Sequence, residues 1–501
     1  MSLPARLSVV AEGSARRDCV AVVDVGSNSL RLVIYDGLKR TGRTLFNEKV
    51  MCGLGRGLSK TGRLDPAGVE LAKTNMQRFV ALARNLGASH FDILATAAVR
   101  DATDGPAFVA EIEKRFSVRV RVLSGEEEGK LSAMGVLAAI PEASGLVGDL
   151  GGGSVELIEL GKGNVGRAAT LPLGPLRLAD IADDDKKLKD VVDRLLATVP
   201  WLVSPPEPVF YAVGGAWRAL ARIHMAETQY PLHVIQNYTL TRNETDKFLD
   251  FIAKQSRKSL DGIAGLSKKR IEVVPLAARI LSRIVKRMEP KRVVFSAWGL
   301  REGHLYSLLS PAERVADPLL ASCAESARAW GRFPEMGETL NAWLAPLFTK
   351  EDARSKRLRH AAALLSDIAW NEHPDYRAEQ AVRHALYMPV AGIDHPSRAF
   401  VATALHARYG GRGTVELLAP LELLDDEELQ AARVVGLALR LGYTLAAGVP
   451  SALSGTSLAI NANDVTLIFT GDAAQRYGES VQRRLESLAK ALGRKAAIRR
   501  T

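Results

Sequence analysis

Two turns of small and polar residues each follow an aspartate at the end of an apolar run. Asp24 precedes the first turn in DVGSNSLRL, and Asp149 precedes the second in DLGGGSVEL. Such a turn can present backbone N–H groups and hydroxyls around a tetrahedral anion, and glycine lets a phosphate approach the main chain closely. The candidate phosphate-binding residues are Ser27, Asn28, Ser29, Gly151, Gly152, Gly153 and Ser154.

The two turns share the frame Asp-x-Gly-x-x-Ser-x-x-Leu, and the chain between them is long enough for one α/β domain. Small residues are also common in ordinary β-hairpins, which is the alternative interpretation of either turn alone. Because the aspartate recurs in both copies, the repeat favours two similar domains that face a shared cleft.

Carboxylates beside the second turn indicate a divalent cation. Asp149 ends the incoming strand and Glu156 lies on the outgoing strand, so that both could point into one cleft. Mg²⁺ binds one or two carboxylates while it keeps waters and substrate phosphate oxygens, which predicts a magnesium site here. The alternative is that Glu156 faces solvent from an alternating strand.

Three consecutive glutamates, Glu126 to Glu128, follow a predicted strand and Ser124. Ser124 is the expected N-cap of a helix, whose dipole favours acidic residues in the first turn. A carboxylate at this position that is aimed into the cleft could also accept a proton from an attacking water. The residues alone do not choose among the three glutamates.

The elements that must position these groups alternate between short apolar β-rich runs and amphipathic helices, which is typical of an α/β protein. Strands are predicted in CVAVVDVG, SLRLVIYDG, FDILATAA, VRVRVL, GLVGDLG, SVELIELG, VFYAVGG and RVVFSAWG. After about residue 312, alanine, leucine, arginine and glutamate recur at helical spacing. The chain then ends in two strands and a helix with a leucine stripe. We expect α/β domains over 1–141 and 142–311, a helical domain over 312–447 and a small α+β domain over 448–501.

The composition is that of an ordinary globular protein, with 47% hydrophobic and 25% charged residues among 501. The formal net charge of +11 favours a polyanionic partner. Cys19, Cys52 and Cys323 support neither a disulfide framework nor a zinc ribbon, which indicates a reducing compartment. No segment is continuously apolar over the length of a membrane span, so we expect a cytoplasmic protein with no membrane partner.

Seven sequence motifs together resemble those of one family: DVGSNSLRLVIYD, ATAAVRDA, SGEEEGKLSAMGV, GDLGGGSVELIEL, LPLGPLRL, VGGAWRALARI and GLREG. They are similar to the exopolyphosphatase and guanosine pentaphosphate phosphohydrolase (Ppx/GppA) family over residues 20–308. That family belongs to the actin, Hsp70 and sugar-kinase superfamily (ASKHA, RNase H-like). The resemblance implies two actin-like domains facing a cleft, and hydrolysis of the terminal phosphate from inorganic polyphosphate or pppGpp with Mg²⁺.

The resemblance also implies individual roles. Glu128, the third glutamate, matches the catalytic base, and Arg100 matches a phosphate-binding arginine, whose alternative is a surface residue leaving a strand. The metal-associated carboxylates fall on Asp149 and Glu156, and Asp24 orients a metal-bound water. The glycine pair in VGGAW, Gly214 and Gly215, looks like the adenosine loop of the superfamily, but it does not imply that this chain binds ATP.

Long members of the family carry a helical domain that looks like the HD phosphohydrolase fold. Five histidines fall in this region: His360, His373, His384, His395 and His406. No adjacent His-Asp pair exists in the chain, and Ser366 stands before Asp367 where that motif would need histidine. We therefore predict a degenerate, non-catalytic HD-like domain that serves substrate channelling or dimerisation, and a homodimer is usual for relatives.

The last segment of the chain, from Val481 to Thr501, contains seven basic residues and one acidic residue. One interpretation is a solvated helical face with a frayed tail, and the other is a positive track for a long polyanion. Together these features favour an exopolyphosphatase that acts on inorganic polyphosphate rather than on nucleic acid. The alternatives are pppGpp hydrolysis, a non-hydrolytic sensor of polyphosphate or nucleotides, and a phosphate-transferring kinase.

Overall fold

The structure is a computed structural model that describes residues 18–255, 272–411 and 419–501. The chain folds into two compact units, of which the first ends at Ala316 and the second begins at Asp317. The short segment Pro231–Val234 groups with the second unit. Both predicted α/β segments therefore lie mainly within the first unit.

The first sheet of the first unit has five strands in the order β3-β2-β1-β4-β5. They are β1 (Cys19–Val25), β2 (Leu30–Tyr35), β3 (Thr44–Val50), β4 (Ala88–Ala95) and β5 (Val120–Val122). β2 pairs antiparallel with β1 and with β3, whereas β4 runs parallel to both β1 and β5. β1 is almost entirely buried at the centre of the sheet, which explains its continuous apolar run.

The second sheet has six strands in the order β10-β11-β9-β6-β7-β8. They are β6 (Gly145–Leu150), β7 (Val155–Gly161), β8 (Asn164–Leu171), β9 (Val209–Val213), β10 (Tyr238–Thr241) and β11 (Arg292–Phe295). β7 pairs antiparallel with β6 and β8, and β9 runs parallel to β6 and β11. The series β8-β7-β6-β9-β11 repeats the order and directions of the first sheet, so the repeat seen in the sequence is also a repeat of strand arrangement.

Helices cover both sheets and give each its own core. Phe79 and Phe108 pack on the first sheet, and Trp217 packs on the second, where its Nε1 donates to the carbonyl of Ala277 at 3.1 Å. The described helices of this unit are α1 (Leu58–Thr61), α2 (Pro66–Asn85), α3 (Ala97–Asp101), α4 (Gly105–Phe116), α5 (Gly125–Ala139), α6 (Pro175–Leu178), α7 (Asp185–Ala197), α8 (Gly215–Glu227), α9 (Arg242–Ala253), α10 (Val274–Met288), α11 (Leu300–Leu308) and α12 (Pro311–Arg314).

Every strand segment predicted for the first unit contains a strand. Three further strands, β3, β8 and β10, were not predicted, and all three lie at sheet edges. Edge strands are partly exposed and carry polar residues, as in TLFNEKV and NVGRAATL, so they lack the apolar run on which the predictions relied.

The second unit combines helices with a sheet of three strands in the order β12-β13-β14. The strands are β12 (Thr456–Ile460), β13 (Asp464–Phe469) and β14 (Lys495–Arg500). The described helices are α13 (Pro318–Trp330), α14 (Met336–Leu344), α15 (Ala353–Leu364), α16 (Arg377–Tyr387), α17 (His395–Tyr409), α18 (Asp426–Ala446) and α19 (Glu479–Ala491). The predicted leucine stripe of α19 is confirmed at Val481, Leu485 and Leu488, which are buried, whereas its fourth member, Leu492, lies just past the helix and is half-buried.

The interpretation of the basic C-terminal segment as a frayed tail is wrong. Residues Lys495–Arg500 form β14, which pairs parallel with β13 from Asp464 to Phe469. Lys495, Arg499 and Arg500 are exposed on this strand. The strand was missed because KAAIRR has too few large apolar residues to show an alternating pattern.

Across the part of the chain that the structure describes, no helix has the length and apolar character that a membrane crossing requires. The three cysteine thiols are all buried.

Candidate active site

The first phosphate turn joins β1 to β2, and backbone hydrogen bonds fix its shape. The N–H of Gly26 donates to the carbonyl of Ser29 at 3.0 Å and closes the turn. The N–H of Gly55 donates to the carbonyl of Ser27 at 2.8 Å. Ser27, Asn28 and Ser29 then line the wall of a cavity.

The second phosphate turn joins β6 to β7 and is fixed in the same way. The N–H of Gly151 donates to the carbonyl of Ser154 at 3.0 Å, and the N–H of Leu176 donates to that of Gly152 at 2.9 Å. The Oγ of Ser154 is buried without a hydrogen-bond partner among the described residues. A Cβ on Gly152 would lie 3.1 Å from the Cβ of Ser27, so glycine allows the two turns to approach each other.

Both turns line one cavity of about 240 Å³. The structure brings all seven predicted phosphate-turn residues into its wall, together with Asp24, Glu128 and Asp149. The other two predicted residues are not part of this wall but are neighbours of residues that are. Arg100 bonds to Glu128, and Glu156 is the cross-strand neighbour of Asp149.

The surroundings of the three glutamates at the start of α5 differ sharply. Ser124 caps the helix as predicted, and Glu127 completes a capping box by accepting from the N–H of Ser124 at 2.9 Å. Glu126 pairs with Lys130 on the exposed face. Glu128 is only 8% exposed and is the glutamate of the three that lines the cavity.

The carboxyl group of Glu128 has a pKa suited to proton transfer near neutral pH. Burial and the nearby Asp149 carboxylate raise its pKa to about 7, while Arg100 opposes part of this rise. The Nη1 of Arg100 donates to Oε2 of Glu128 at 3.1 Å and to the carbonyl of Leu123 at 3.0 Å. Arg100 therefore fixes the orientation of Glu128 as well as its charge.

Asp149 and Glu156 stand opposite each other on β6 and β7. Glu156 is 1% exposed, so the alternative that it faces solvent is wrong. Burial raises the pKa of Asp149, and a hydrogen bond from Ser132 opposes this rise. Burial and the Glu128 carboxylate hold the pKa of Glu156 well above its ordinary value.

The donor set fits Mg²⁺. Neither carboxylate oxygen of Glu156 has a hydrogen-bond partner within the described residues, and the carboxylates of Glu128, Asp149 and Glu156 repel one another. A cation would relieve this repulsion. No three His, Cys, Asp or Glu side chains in the described ranges stand close enough to form a ready metal-binding group. Mg²⁺ needs only one or two carboxylates besides water and phosphate oxygens, and the magnesium site stays a prediction.

Asp24 has a partner that the sequence did not reveal. Its Oδ2 accepts from the Nη1 of Arg301 at 3.1 Å. Burial would lower the pKa of Arg301, but Glu302 and Asp24 outweigh it and raise that pKa. Arg301 therefore stays fully charged at the cavity wall.

Further cationic residues of the cavity were also missed by sequence reasoning: the wall includes Arg31, Lys49, Arg218 and Arg301. Burial, with the nearby charge of Arg301, lowers the pKa of Arg218 to about 10, which leaves this guanidinium protonated at neutral pH. Isolated basic residues carry no spacing signal. The sequence signal that could have identified two of them is the family resemblance, because Arg301 lies in its motif GLREG and Arg218 in its motif VGGAWRALARI.

Gly214 and Gly215, which look like an adenosine loop, also line this cavity. Gly214 has a φ of +108°, and a Cβ there would lie 2.5 Å from the carbonyl oxygen of Leu150. The glycine therefore lets the loop after β9 pack against the end of β6.

Asp367, which stands where an HD motif would have its aspartate, forms an ion pair. Asp367 is 4% exposed and accepts from Arg332 at 2.8 Å and 3.0 Å through its two carboxylate oxygens. His360 faces Glu338 at 2.9 Å, on another part of the helical region. A non-catalytic role for this region stays a prediction.

Two family models match the chain. The Ppx/GppA phosphatase family matches residues 15–312, which include both phosphate turns. The model of the exopolyphosphatase C-terminal domain matches residues 323–499.

Three curated relatives illustrate the similarity. Retrograde regulation protein 2 of Saccharomyces cerevisiae is 25% identical over 79% of this chain and 73% of its own length. Exopolyphosphatase 1 of Mycobacterium bovis is 26% identical over 63% of this chain and 95% of its own length. Guanosine-5'-triphosphate,3'-diphosphate pyrophosphatase of Aeromonas hydrophila is 24% identical, over 75% of this chain and 77% of its own length. These names do not select one substrate.

Two solved structures resemble the first part of the chain. An exopolyphosphatase from Cytophaga hutchinsonii has a TM-score of 0.54 at 24% identity, covering 58% of this chain and 97% of that one. A Ppx/GppA protein from Aquifex aeolicus has a TM-score of 0.51 at 23% identity, covering 58% and 96%. They confirm the predicted actin-like α/β fold class. Because the first family model spans more than half of the sequence, this chain belongs to the Ppx/GppA phosphatase family.

Proposed function

We propose that this chain is an exopolyphosphatase, which uses water to remove the terminal phosphate of inorganic polyphosphate. The observation that carries the proposal is the environment of Glu128, a buried carboxyl group with a pKa of about 7 in the cavity that both phosphate turns line. A base with this pKa is substantially ionised at neutral pH and still accepts a proton readily.

In the proposed reaction, the terminal phosphate lies between the two turns, where backbone N–H groups and the Ser27 and Ser154 hydroxyls surround its oxygens. Glu128 takes a proton from the attacking water, while Arg100 holds the carboxylate in place. The bond from phosphorus to the bridging oxygen breaks, and the shortened chain leaves as an anion. Arg218 and Arg301 offset the negative charge of the substrate at the cavity wall.

Asp149, Glu156 and Asp24 are the residues that would hold Mg²⁺, which when bound neutralises charge on the phosphoryl oxygens. Ser132 donates to Asp149 and so orients this carboxylate. Arg301 does the same for Asp24 at 3.1 Å. These two hydrogen bonds keep both carboxylates directed at the cavity.

Hydrolysis of pppGpp is the second candidate function. It is favoured by the Aeromonas relative, whose name describes a guanosine triphosphate-diphosphate pyrophosphatase and which this chain matches over 77% of its length. The chemistry at the terminal phosphate would be the same, so the cavity alone does not separate the two substrates.

A phosphate-release assay on long polyphosphate and on pppGpp in parallel tests the proposal, with Mg²⁺ and with excess chelator. We expect faster release from polyphosphate, and loss of release in chelator. Faster release from pppGpp would replace the proposed substrate, and no release from either would favour a sensor.

A further inference from the structure

One carboxylate joins two arginines beside the phosphate turns. Asp101, at the end of α3, accepts from the Nε of Arg100 at 3.2 Å through Oδ1 and from the Nη2 of Arg177 through Oδ2. Arg177 lies on α6, which follows β8 of the second sheet. Arg100 and Asp101 lie on α3, which follows β4 of the first sheet, so this bridge connects the two α/β domains of the first unit. The side chains of Asp101 and Arg177 are 29% and 38% exposed, so solutes can reach the bridge.

Asp101 and Arg177 line a second cavity, of about 580 Å³, that adjoins the first. The two cavities share four residues in their walls: Ser27, Ala97, Gly153 and Leu176. The Nε of Arg177 is 3.9 Å from the position that a Cβ on Gly153 would take. The Arg100–Asp101–Arg177 bridge is therefore next to the turns, where the two cavities share wall residues.

We propose that Asp101 occupies the position of a second substrate phosphate and that a phosphoanhydride chain displaces it from Arg100 and Arg177. A phosphate oxygen accepts from guanidinium groups as a carboxylate oxygen does. With the terminal phosphate in the turns, the next phosphates extend past Ser27 and Gly153 into the second cavity. This inference rests on the proposed function for the place of the terminal phosphate.

The hydrogen bonds of the two arginines distinguish this role from a purely structural one. Arg100 is held by the carbonyl of Leu123 at 3.0 Å and by Glu128 at 3.1 Å, so its position does not depend on Asp101. In the described part of the chain, the guanidinium group of Arg177 donates to Asp101 alone. Release of Asp101 would thus free Arg177 for an anion without disturbing Glu128.

Calorimetric titration of the intact protein with a methylene-bridged triphosphate analogue, whose P–C–P links resist hydrolysis, tests the proposal. Asp101→Asn keeps the shape of the side chain but removes the competing charge, so we expect its Kd to fall about three- to tenfold. Arg177→Gln should raise the Kd. One orthophosphate cannot fill the turns and the second position together, so orthophosphate should gain less affinity from Asp101→Asn than the analogue does.

Asp180→Asn is the matched control. It removes the exposed ion pair of Lys60 with Asp180, at 3.0 Å, which also connects the two domains. This variant should bind the analogue like the parent. Asp101→Ser provides a second replacement, and thermal unfolding shows that each variant is folded.

Equal or weaker binding of the analogue by both Asp101 variants would overturn the proposal, as would an equal gain for orthophosphate or no binding by the parent. The proposed function has a separate readout, because it requires phosphate release by the parent. Tighter analogue binding by Asp101→Asn without any release by the parent would keep this inference and refute hydrolysis.

Discussion

Burial gives Glu128 a chemistry that its neighbours lack. Glu127 is committed to the helix cap and to Arg121 at 2.7 Å, and these hydrogen bonds lower its pKa. Glu126 pairs with Lys130 in solvent. Glu128 instead combines a raised pKa with access to the cavity, so we assign proton transfer to Glu128 alone.

Replacing Glu128 with glutamine should lower turnover of polyphosphate about 10²- to 10⁴-fold, the range typical for loss of a general base. Binding of substrate should persist, because the phosphate turns are intact. Steady-state phosphate release and calorimetry measure the two effects. Glu126→Gln is the control and should retain nearly full turnover. A mild effect at Glu128 with a severe one at Glu127 would contradict the assignment.

The pH dependence of turnover follows from the pKa of Glu128. The base must be ionised, so kcat/KM should fall as the pH drops through about 7. Arg100 favours the ionised form, so Arg100→Gln should move this midpoint to higher pH besides lowering the rate. Arg121→Gln, which removes a partner of Glu127, should leave the midpoint in place. A pH profile of Arg100→Gln with an unchanged midpoint would refute the coupling.

The sequence predicted which residues form this site, but it did not predict the burial or the partners of their side chains. The paired aspartates and the small residues around them predicted two phosphate turns, and both turns line one cavity. The burial of Glu156 depends on what covers β7, and the ion pair of Asp24 with Arg301 joins residues far apart in the chain. Neither is encoded in a local spacing.

At the scale of elements, the loop between β8 and α6 holds the second turn in place. The N–H of Leu176 donates to the carbonyl of Gly152 at 2.9 Å. A Cβ on Gly174 would lie 2.2 Å from the carbonyl carbon of Gly153 and 2.3 Å from the carbonyl oxygen of Gly152. Glycine at position 174 is therefore required for this loop to reach the turn.

We expect Gly174→Ala to lower kcat/KM for polyphosphate about 10²-fold, because displacing the turn by about 1 Å misplaces the phosphate. Circular dichroism and thermal unfolding would show whether the fold is kept. Gly478→Ala is the control, since a Cβ there has no atom within 4 Å. An active Gly174→Ala protein with parental KM would show that the loop does not position the turn.

Central strands were predictable because burial on both faces leaves a continuous apolar run, as in β1 and β9. Edge strands such as β3 and β8 expose polar residues and leave no such run. β14 is a similar case, since its order depends on pairing with β13. These strands therefore form because they pair with strands elsewhere in the chain, which a local sequence pattern does not show.

For the whole molecule, the net charge of +11 includes two groups of basic residues that can contact a polyanion. Arg31, Lys49, Arg218 and Arg301 line the cavity in the first unit. Lys495 and Arg499 are exposed on β14 in the second unit. The first group would contact any phosphorylated substrate that enters the cavity, and the second group is a separate basic surface that a polyanion can bind.

Neutralising Lys495 and Arg499 together should reduce the slope of log affinity against log salt for long polyphosphate by up to about two, through fewer released counterions. Hydrolysis of pppGpp should not change. The control pair is Lys114 with Arg119, two exposed cations on the first unit. Identical slopes for the β14 variant and the parent would assign these charges to solubility.

Hydrolysis of end-labelled polyphosphate in ¹⁸O-enriched water, followed by mass spectrometry of the products, tests directly whether water attacks the terminal phosphorus. Attack of water on the terminal phosphorus predicts labelled orthophosphate as the only small product, one solvent oxygen in each released phosphate, and chains that shorten from the end. Glu128→Gln should form this product at a greatly reduced rate. Internal cleavage, or phosphate that appears only on an added nucleotide, would contradict the account.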